Sequence, residues 1–445
     1  MMEILPDSRQ YVIVGAGVHG LSTAWHLAME LKAHGKGSGK DIIVLDKSRP
    51  GAGASGLACG AVRAFYMTEA MHPLVRHSVD VWNYDPVAFG FQQVGYISCA
   101  EGDLLPEYEK IHASQNALGY TSELYEGKDA RNHLKKIWPD FRPHSIDVAL
   151  HERLSGYAGT AQAIRGLTSM CERHDVQILP ATEVLSYSVV NGVVNELNTN
   201  NGTIKAEVVI LALGAWTPRH WEMLGQPMKL DVGYGDGSHV KDKDMWTYWK
   251  LEEGEIYFDG PYYTAKNFNP PLIHIELMNT PVIDSSGKEL LDNVYVYWKN
   301  GTERMERPGI QGGAMPIMLG PTAKVDPYGH AADDYQARPE FADYICACME
   351  MFMERFQGIR PNFKERRSGG IGAFTPDNIA ILDWILPNTY MIADSNHGFK
   401  ALGIGKLFAR ELVTGQKVEE LKPFAFSRYA AGQGYGSGTT NCPWV

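Results

Sequence analysis

The segment that most constrains this chain is Gly15-Ala16-Gly17-Val18-His19-Gly20, because of what stands on either side of it. Before it runs Tyr11-Val-Ile-Val14, a short apolar, β-branched stretch of the kind that forms a strand buried on both faces. After it, Leu21, Ala24, Trp25, Leu27, Ala28 and Leu31 recur at three- and four-residue steps, the period of a helix with an apolar side. A polar turn, Lys32 to Lys40, leads to a second apolar strand, Ile42-Ile-Val-Leu45, closed by Asp46. A glycine turn alone serves structure as readily as binding; strand, turn, helix, strand and acid in this order is the pattern of a dinucleotide-binding unit. Gly15 permits the tight turn, Gly17 lets the backbone approach a pyrophosphate, and Gly20 lets helix and strand meet. The helix N-terminus offers N–H groups and a positive dipole end to the phosphates. Asp46 is suited to accept hydrogen bonds from ribose hydroxyls, and an acid there favours FAD or NAD over NADP. It lies farther from Gly15 than the spacing of about 20 residues usual for this motif, and the Lys32 to Lys40 turn takes up the extra length.

Composition narrows the partners. The 41 basic and 52 acidic residues leave a net charge of −11, which repels phosphate backbones and anionic lipid, so neither nucleic acid nor membrane is expected as a partner. Hydrophobic residues at 44% and charged residues at 21% describe an ordinary folded protein, and 445 residues alone predict about three domains. The six cysteines form no CxxC pair, so no disulfide framework and no metal site are expected. With no signal-like N-terminus and no apolar run near the ~20 residues of a membrane span, the expected location is the cytoplasm.

Further segments bear on the site. Val208-Val-Ile-Leu-Ala-Leu213 reads as another buried strand, follows turns at Asn191-Gly192 and Asn201-Gly202, and runs into Gly214-Ala215-Trp216. Tyr390-Met-Ile-Ala-Asp394 leads through Ser395-Asn-His397-Gly398-Phe399-Lys400 to a helix through Leu412 that ends at Thr414-Gly415. Aromatic residues cluster at Trp246, Tyr248, Trp249, Tyr257, Phe258, Tyr262 and Tyr263, and again at Tyr295, Tyr297 and Trp298. Alternation turns Tyr295 and Tyr297 to one face of a strand, as a wall for an alkylated ammonium or as plain sheet core. His72, Tyr234 and His239 fall in expected loops with possible substrate contact, Lys364-Glu-Arg-Arg367 reads as a solvated turn, and Gly432 to Gly438 as a flexible terminus.

These segments, with Gly53-Ala-Ser55-Gly56 leading to Arg63, Thr375-Pro-Asp377 and His397-Gly-Phe-Lys400, resemble in their order the FAD-dependent D-amino acid oxidase superfamily. Within it they resemble most the branch of monomeric sarcosine oxidase and related N-methyl amino acid oxidases and dehydrogenases. The resemblance implies an α/β (α+β) fold. A Rossmann-like FAD-binding domain is expected from residues 8–85, 150–220 and 362–420, a substrate domain with an antiparallel sheet and helices from 86–149 and 221–361, and a tail from 421–445. It implies FAD as the cofactor, held by Gly15, Ala16, Gly17, Val18, His19, Gly20, Asp46, Lys47, Ser55, Gly56, Val184, Gly214, Trp216, Gly398, Phe399 and Lys400. The turn from Gly398 resembles one whose helix N-terminus faces the flavin, where negative charge develops on reduction.

For the chemistry, the resemblance implies Lys400, His397 and Arg63 at the reacting end, with Lys400 on the substrate carboxylate and Tyr66 and Tyr257 as further substrate contacts. The family's second arginine falls on Tyr66, a departure from a simple glycine-like substrate. No cysteine stands in Arg367 to Phe374, and Cys59 occupies the segment where some relatives carry a flavin-linked histidine, so non-covalent FAD is expected. The lysine that assists reaction with dioxygen in that branch has no counterpart in Met315 to Gly320, ahead of the matching Lys324-Val-Asp-Pro327; Lys299 and Lys266 are the other cations to consider. The expected function is FAD-dependent oxidation of the carbon next to nitrogen in a secondary or tertiary amine bearing a carboxylate, with dioxygen or another electron acceptor. The alternatives are a 2-hydroxy acid dehydrogenase on the same fold and a flavin-bearing subunit. A homo-oligomer and a larger complex are both compatible assemblies.

Overall fold

The structure, a computed structural model, describes residues 4–257, 269–301, 309–328, 333–394 and 397–436. The strands that carry the site are β1 (Ser8–Val14), β2 (Ile42–Leu45), β3 (Gly202–Leu211), β4 (Thr247–Tyr257), β5 (Leu272–Leu277), β6 (Val294–Asn300), β7 (Phe363–Phe374) and β8 (Thr389–Ala393), and the helices are α1 (Val18–Ala33) and α2 (Gly403–Thr414).

Two large sheets organise the described residues. In the first, β3, β1, β2 and Gln177–Leu179 lie side by side, with β8 parallel to β3 on a branch. These apolar runs are buried on both faces, as their composition requires. Ile13, Val44 and Ile210 turn toward α1 and α2, while Val12, Val14, Ile43 and Leu45 turn to a second core. Because the pairings are parallel, the C-terminal ends of β1, β2, β3 and β8 share one edge, where Gly15, Asp46, Ala212 and Asp394 follow them. Ligands of open α/β sheets bind at that edge.

The second sheet is mostly antiparallel. Its order runs Ile317–Gly320, β4, Gly309–Ala314, β6, β5, Tyr96–Ala100, Val148–Glu152 and Ser122–Glu126, with β7 alongside β4. Alternation divides its residues cleanly. Ile273, Ile275, Val296 and Trp298 pack against the helix Pro339–Phe352, whereas Leu272, Tyr295 and Tyr297 join Cys59 and Phe374 on the face toward the first sheet. The stretch 363–374, grouped by the sequence with the FAD-binding segments, is a strand of this sheet, paired with β4 from Thr247↔Phe374 to Ile256↔Phe363. Its glycines allow that pairing without crowding the site.

The C-terminal segment also differs from its flexible reading as far as Gly436. Arg428 is 3% exposed and donates from Nε and Nη2 to the two oxygens of Asp377 at 2.8 Å each, and Gly434 N–H bonds to the Gly233 carbonyl. A buried arginine fork on the Thr375-Pro-Asp377 turn holds this segment on the molecule. Among the described residues no helix is long and apolar enough to cross a membrane.

Candidate active site

The edge shared by the parallel strands opens into a cavity of about 450 Å³ that continues beneath the second sheet. At the nucleotide end, Gly15 has φ of 106°, and a Cβ there would come within 2.2 Å of the Ala212 carbonyl oxygen; one at Gly20 would come within 1.8 Å of the Gly15 carbonyl oxygen. Only glycine lets β1 turn into α1 so close to β3. Gly17 begins α1 without lending a side-chain cap, and the first turn holds no acid. Ser55 Oγ accepts from Val18 N–H at 3.2 Å, and Asp46 accepts from Ala16 N–H at 2.9 Å and Ser48 N–H at 2.8 Å. Burial pushes the Asp46 carboxyl upward against the pull of these backbone N–H groups. Lys47 Nζ stands 4.2 Å from the centre of the Trp216 ring, and both side chains engage Asp326. A helix start with no acid in its first turn, a glycine cradle and an acid at the end of β2 fit a dinucleotide.

Beside this cradle sits a buried ionic group. Asp394, at the end of β8, accepts from His397 Nδ1 at 2.6 Å and His19 Nε2 at 2.8 Å. Burial alone would raise its pKa, but the His397 and His19 rings outweigh that and hold the carboxyl far below the usual carboxylate range. The group ties the glycine turn to the His397–Lys400 turn. The main chain of that turn closes with Lys400 N–H and Ala401 N–H on the His397 carbonyl, at 2.7 and 2.6 Å. The helix expected after Lys400 begins at Gly403, once this turn is closed, and ends at Thr414 with Gly415 in the left-handed conformation (φ 72°).

The part of the cavity under the second sheet is lined by Arg63, Lys400 and His274 together with Trp249, Tyr295 and Tyr297. The Arg63 guanidinium lies 4.6 Å from the Tyr66 ring centre and 5.8 Å from that of Tyr96. His274 Nδ1 is 2.9 Å from the Tyr96 hydroxyl, while Nε2 is buried without a hydrogen-bond partner. Burial, and then the charges of Arg63 and Lys400, push its pKa down to about 3, so the imidazole is neutral. Glu253 completes this lining with a buried carboxyl that accepts from the Tyr297 hydroxyl at 2.6 Å.

Of the residues singled out from sequence, Gly15, Gly17, Val18, His19, Asp46, Lys47, Ser55, Val184, Gly214, Trp216, Gly398, Phe399, Arg63 and Lys400 line this one cavity. Ala16, Gly20, Gly56, Tyr66, Tyr257 and His397 stand outside the lining. Ala16 acts through its N–H on Asp46, Gly20 and Gly56 through close backbone approach, and His397 through Asp394. Tyr66 meets the ring of His397 edge-on, with ring centres 5.3 Å apart, behind Arg63. Tyr257 ends β4, about 13 Å along the strand from Glu253 at ~3.3 Å per residue, and donates to Glu255. Lys299 is buried away from the lining, its ammonium 4.4 Å from the Tyr157 ring centre and donating to Gln311.

His72 is a buried structural residue bonded to Ser114 and the Tyr66 carbonyl. Trp246 is core, edge-on to Trp221. Tyr234 and His239 are likewise absent from the lining. Phe258, Tyr262, Tyr263, Lys266, Ser395 and the tail from 437 lie outside the described residues, as do the side chains of 364–368. Sequence reasoning missed Glu253, His274 and Tyr96. Each is one polar or aromatic letter in a strand, and the only available signal was a charged residue at a position whose alternation points inward.

The family model for FAD dependent oxidoreductases matches residues 10–411. The chain belongs to that family. It is 24% identical over 217 residues to the mouse "Pyruvate dehydrogenase phosphatase regulatory subunit, mitochondrial", a match covering 48% of this chain and 24% of that protein. It is 24% identical over 234 residues to the "Sarcosine oxidase subunit beta" of Rhizobium meliloti, covering 51% of this chain and 55% of that one. The chain thus spans a quarter to little over half the length of these curated relatives. In fold it is similar to the L-proline dehydrogenase of P.horikoshii, with a TM-score of 0.75 at 19% identity, over 96% of this chain and all of the other. Membership makes this an FAD-dependent oxidoreductase, in agreement with the cradle described above.

Proposed function

We propose that this family member oxidises the carbon next to nitrogen in a secondary or tertiary amine bearing a carboxylate, an N-methyl amino acid or a related amino acid. The observation that carries the reading is the placing of two cations, Arg63 and Lys400, in the aromatic-walled end of the cavity that holds the nucleotide cradle. Guanidinium and ammonium donors bind a carboxylate by charge-assisted hydrogen bonds. The neutral His274 beside them adds no third charge, and two cations in a buried site disfavour a third on the substrate nitrogen, which therefore enters the reaction with its lone pair.

The cradle would hold FAD through the α1 N-terminus, Ser55, Asp46 and the Gly214 to Trp216 turn. Bound FAD would supply the two-electron oxidation, removing hydride from the carbon and leaving an iminium that water hydrolyses to amine and carbonyl. The chain's own residues orient the substrate and exclude water. The one cysteine in the described lining, Cys59, has its thiol pushed up to about 12 by burial and by Glu253, which opposes thiolate chemistry and supports non-covalent FAD. The buried free cysteines fit a reducing, cytoplasmic setting.

Anaerobic mixing with a panel of N-methyl amino acids and matched 2-hydroxy acids tests this. Amines should bleach the flavin absorbance and hydroxy acids should not. Bleaching by hydroxy acids alone, or by nothing in the panel, contradicts the proposal. A second reading, a flavin-bearing subunit of an amine dehydrogenase or oxidase complex, draws on the likeness to a sarcosine oxidase subunit. It predicts fast reduction but slow turnover for the chain alone, and a change of elution volume when partners are present.

A further inference from the structure

Glu253 is a built acidic position that the proposed oxidation does not use. It sits on β4 with 1% exposure and lines the cavity. Oε1 accepts from the Tyr297 hydroxyl at 2.6 Å and from Cys59 N–H at 3.3 Å. The Cys59 thiol also stands against this carboxyl, and Oε2 is buried with no N–H or O–H partner. A buried acceptor left unmade carries its full desolvation penalty, larger when it is charged, and a ligand that brings the donor would relieve it. Gly369, which also lines the cavity, lies against this carboxyl: a Cβ there would stand 2.8 Å from Glu253 Cδ.

The lining therefore carries both signs of charge. His274 feels the charges of Arg63 and Lys400, and Glu253 feels that of Lys299. A ligand carrying a carboxylate for the first group and N–H donors for the second would satisfy both. Burial pushes the Glu253 carboxyl upward, and an arriving ammonium favours its ionised form.

We propose that Glu253 is a second, specificity-determining anchor that receives a protonated nitrogen other than the one oxidised, so that the preferred substrate is an amino acid of the diamino class. This rests on the reading of Arg63 and Lys400 as the carboxylate site. The nitrogen at Glu253 cannot be the reacting one: loss of hydride from the adjacent carbon needs the nitrogen lone pair, and a nitrogen held as an ammonium by a carboxylate has none to give.

Calorimetric titration of the flavin-loaded protein with 4-aminobutanoate, 5-aminopentanoate and 6-aminohexanoate, each against the straight-chain carboxylate of equal length, tests it. At one length the amino compound should bind at least ~10-fold tighter than its match, as close charge pairs in desolvated sites allow. That advantage should fall below ~2-fold in Glu253→Gln and pass to the next longer chain in Glu253→Asp, which keeps the charge but draws it back by one methylene. A purely structural role for Glu253 would not move the preferred length. Carboxylates that bind with no amino advantage at any length, or an advantage that survives Glu253→Gln, would overturn the role of Glu253 alone. Carboxylates that do not bind at all would overturn the carboxylate site and this inference with it.

Discussion

Lys400 and Arg63 bring positive charge to a protein whose net charge is −11, and they do so inside a cavity rather than on the surface. Replacing Lys400→Met removes a charge-assisted contact worth about 1.5–3 kcal/mol, so the Kd for an N-methyl amino acid should rise about 10- to 150-fold. The substrate dependence of the reduction rate in rapid mixing, normalised to flavin content, checks this. Another buried group sets a pH dependence. Glu276, 4% exposed on β5, is raised from 4.5 to about 7 by burial, which Arg63 only partly opposes. The native state then holds a proton that the unfolded state has already lost, so between about pH 4.5 and 7 this group makes stability fall as pH rises. Glu276→Gln keeps the neutral shape and should raise stability by up to about 3 kcal/mol at pH 8 and by little at pH 5; urea unfolding at the two pH values measures it. At this scale the motif residues were legible, as was a candidate aromatic wall at Tyr295 and Tyr297, and the polar groups between them were not. Lys400 and Arg63 sit in recognisable segments, whereas Glu253 and His274 gain their meaning only from strand pairing that joins residues far apart in the chain.

The glycine turn, α1 and the strands around them were the most legible elements, because a steric requirement writes itself as glycine and a two-sided core writes itself as unbroken apolar letters. Gly20→Ala tests this directly. Its Cβ would collide with the Gly15 carbonyl oxygen, so the variant should lose about 1–3 kcal/mol of stability and bind less FAD; thermal melting together with flavin content per chain reports both. One element differs from its sequence reading for a definite reason. The stretch 363–374 is near in sequence to β8 but forms β7 of the other sheet, since its partner β4 could not be identified without the fold. The helix expected after Lys400 is present from Gly403 to Thr414, once the main chain has closed a turn on the His397 carbonyl.

The described residues place a mixed sheet with a parallel centre and a mostly antiparallel sheet on either side of one cavity, with the glycine cradle at the edge of the first and Arg63, Lys400 and His274 beneath the second. Discontinuous segments build both of the large sheets among the described residues, so chain length alone does not count the layers. The Arg428–Asp377 fork extends the ordered body into a region whose glycine content alone read as slack. Everything proposed about substrate depends on the cradle holding FAD. The absorption spectrum of the purified protein, taken before and after denaturation and filtration, tests that most directly. Flavin absorbance is expected on the native protein and, after unfolding, in the filtrate. A native protein that carries and takes up no flavin would contradict the cofactor assignment, and flavin retained with the polypeptide would contradict its non-covalent binding.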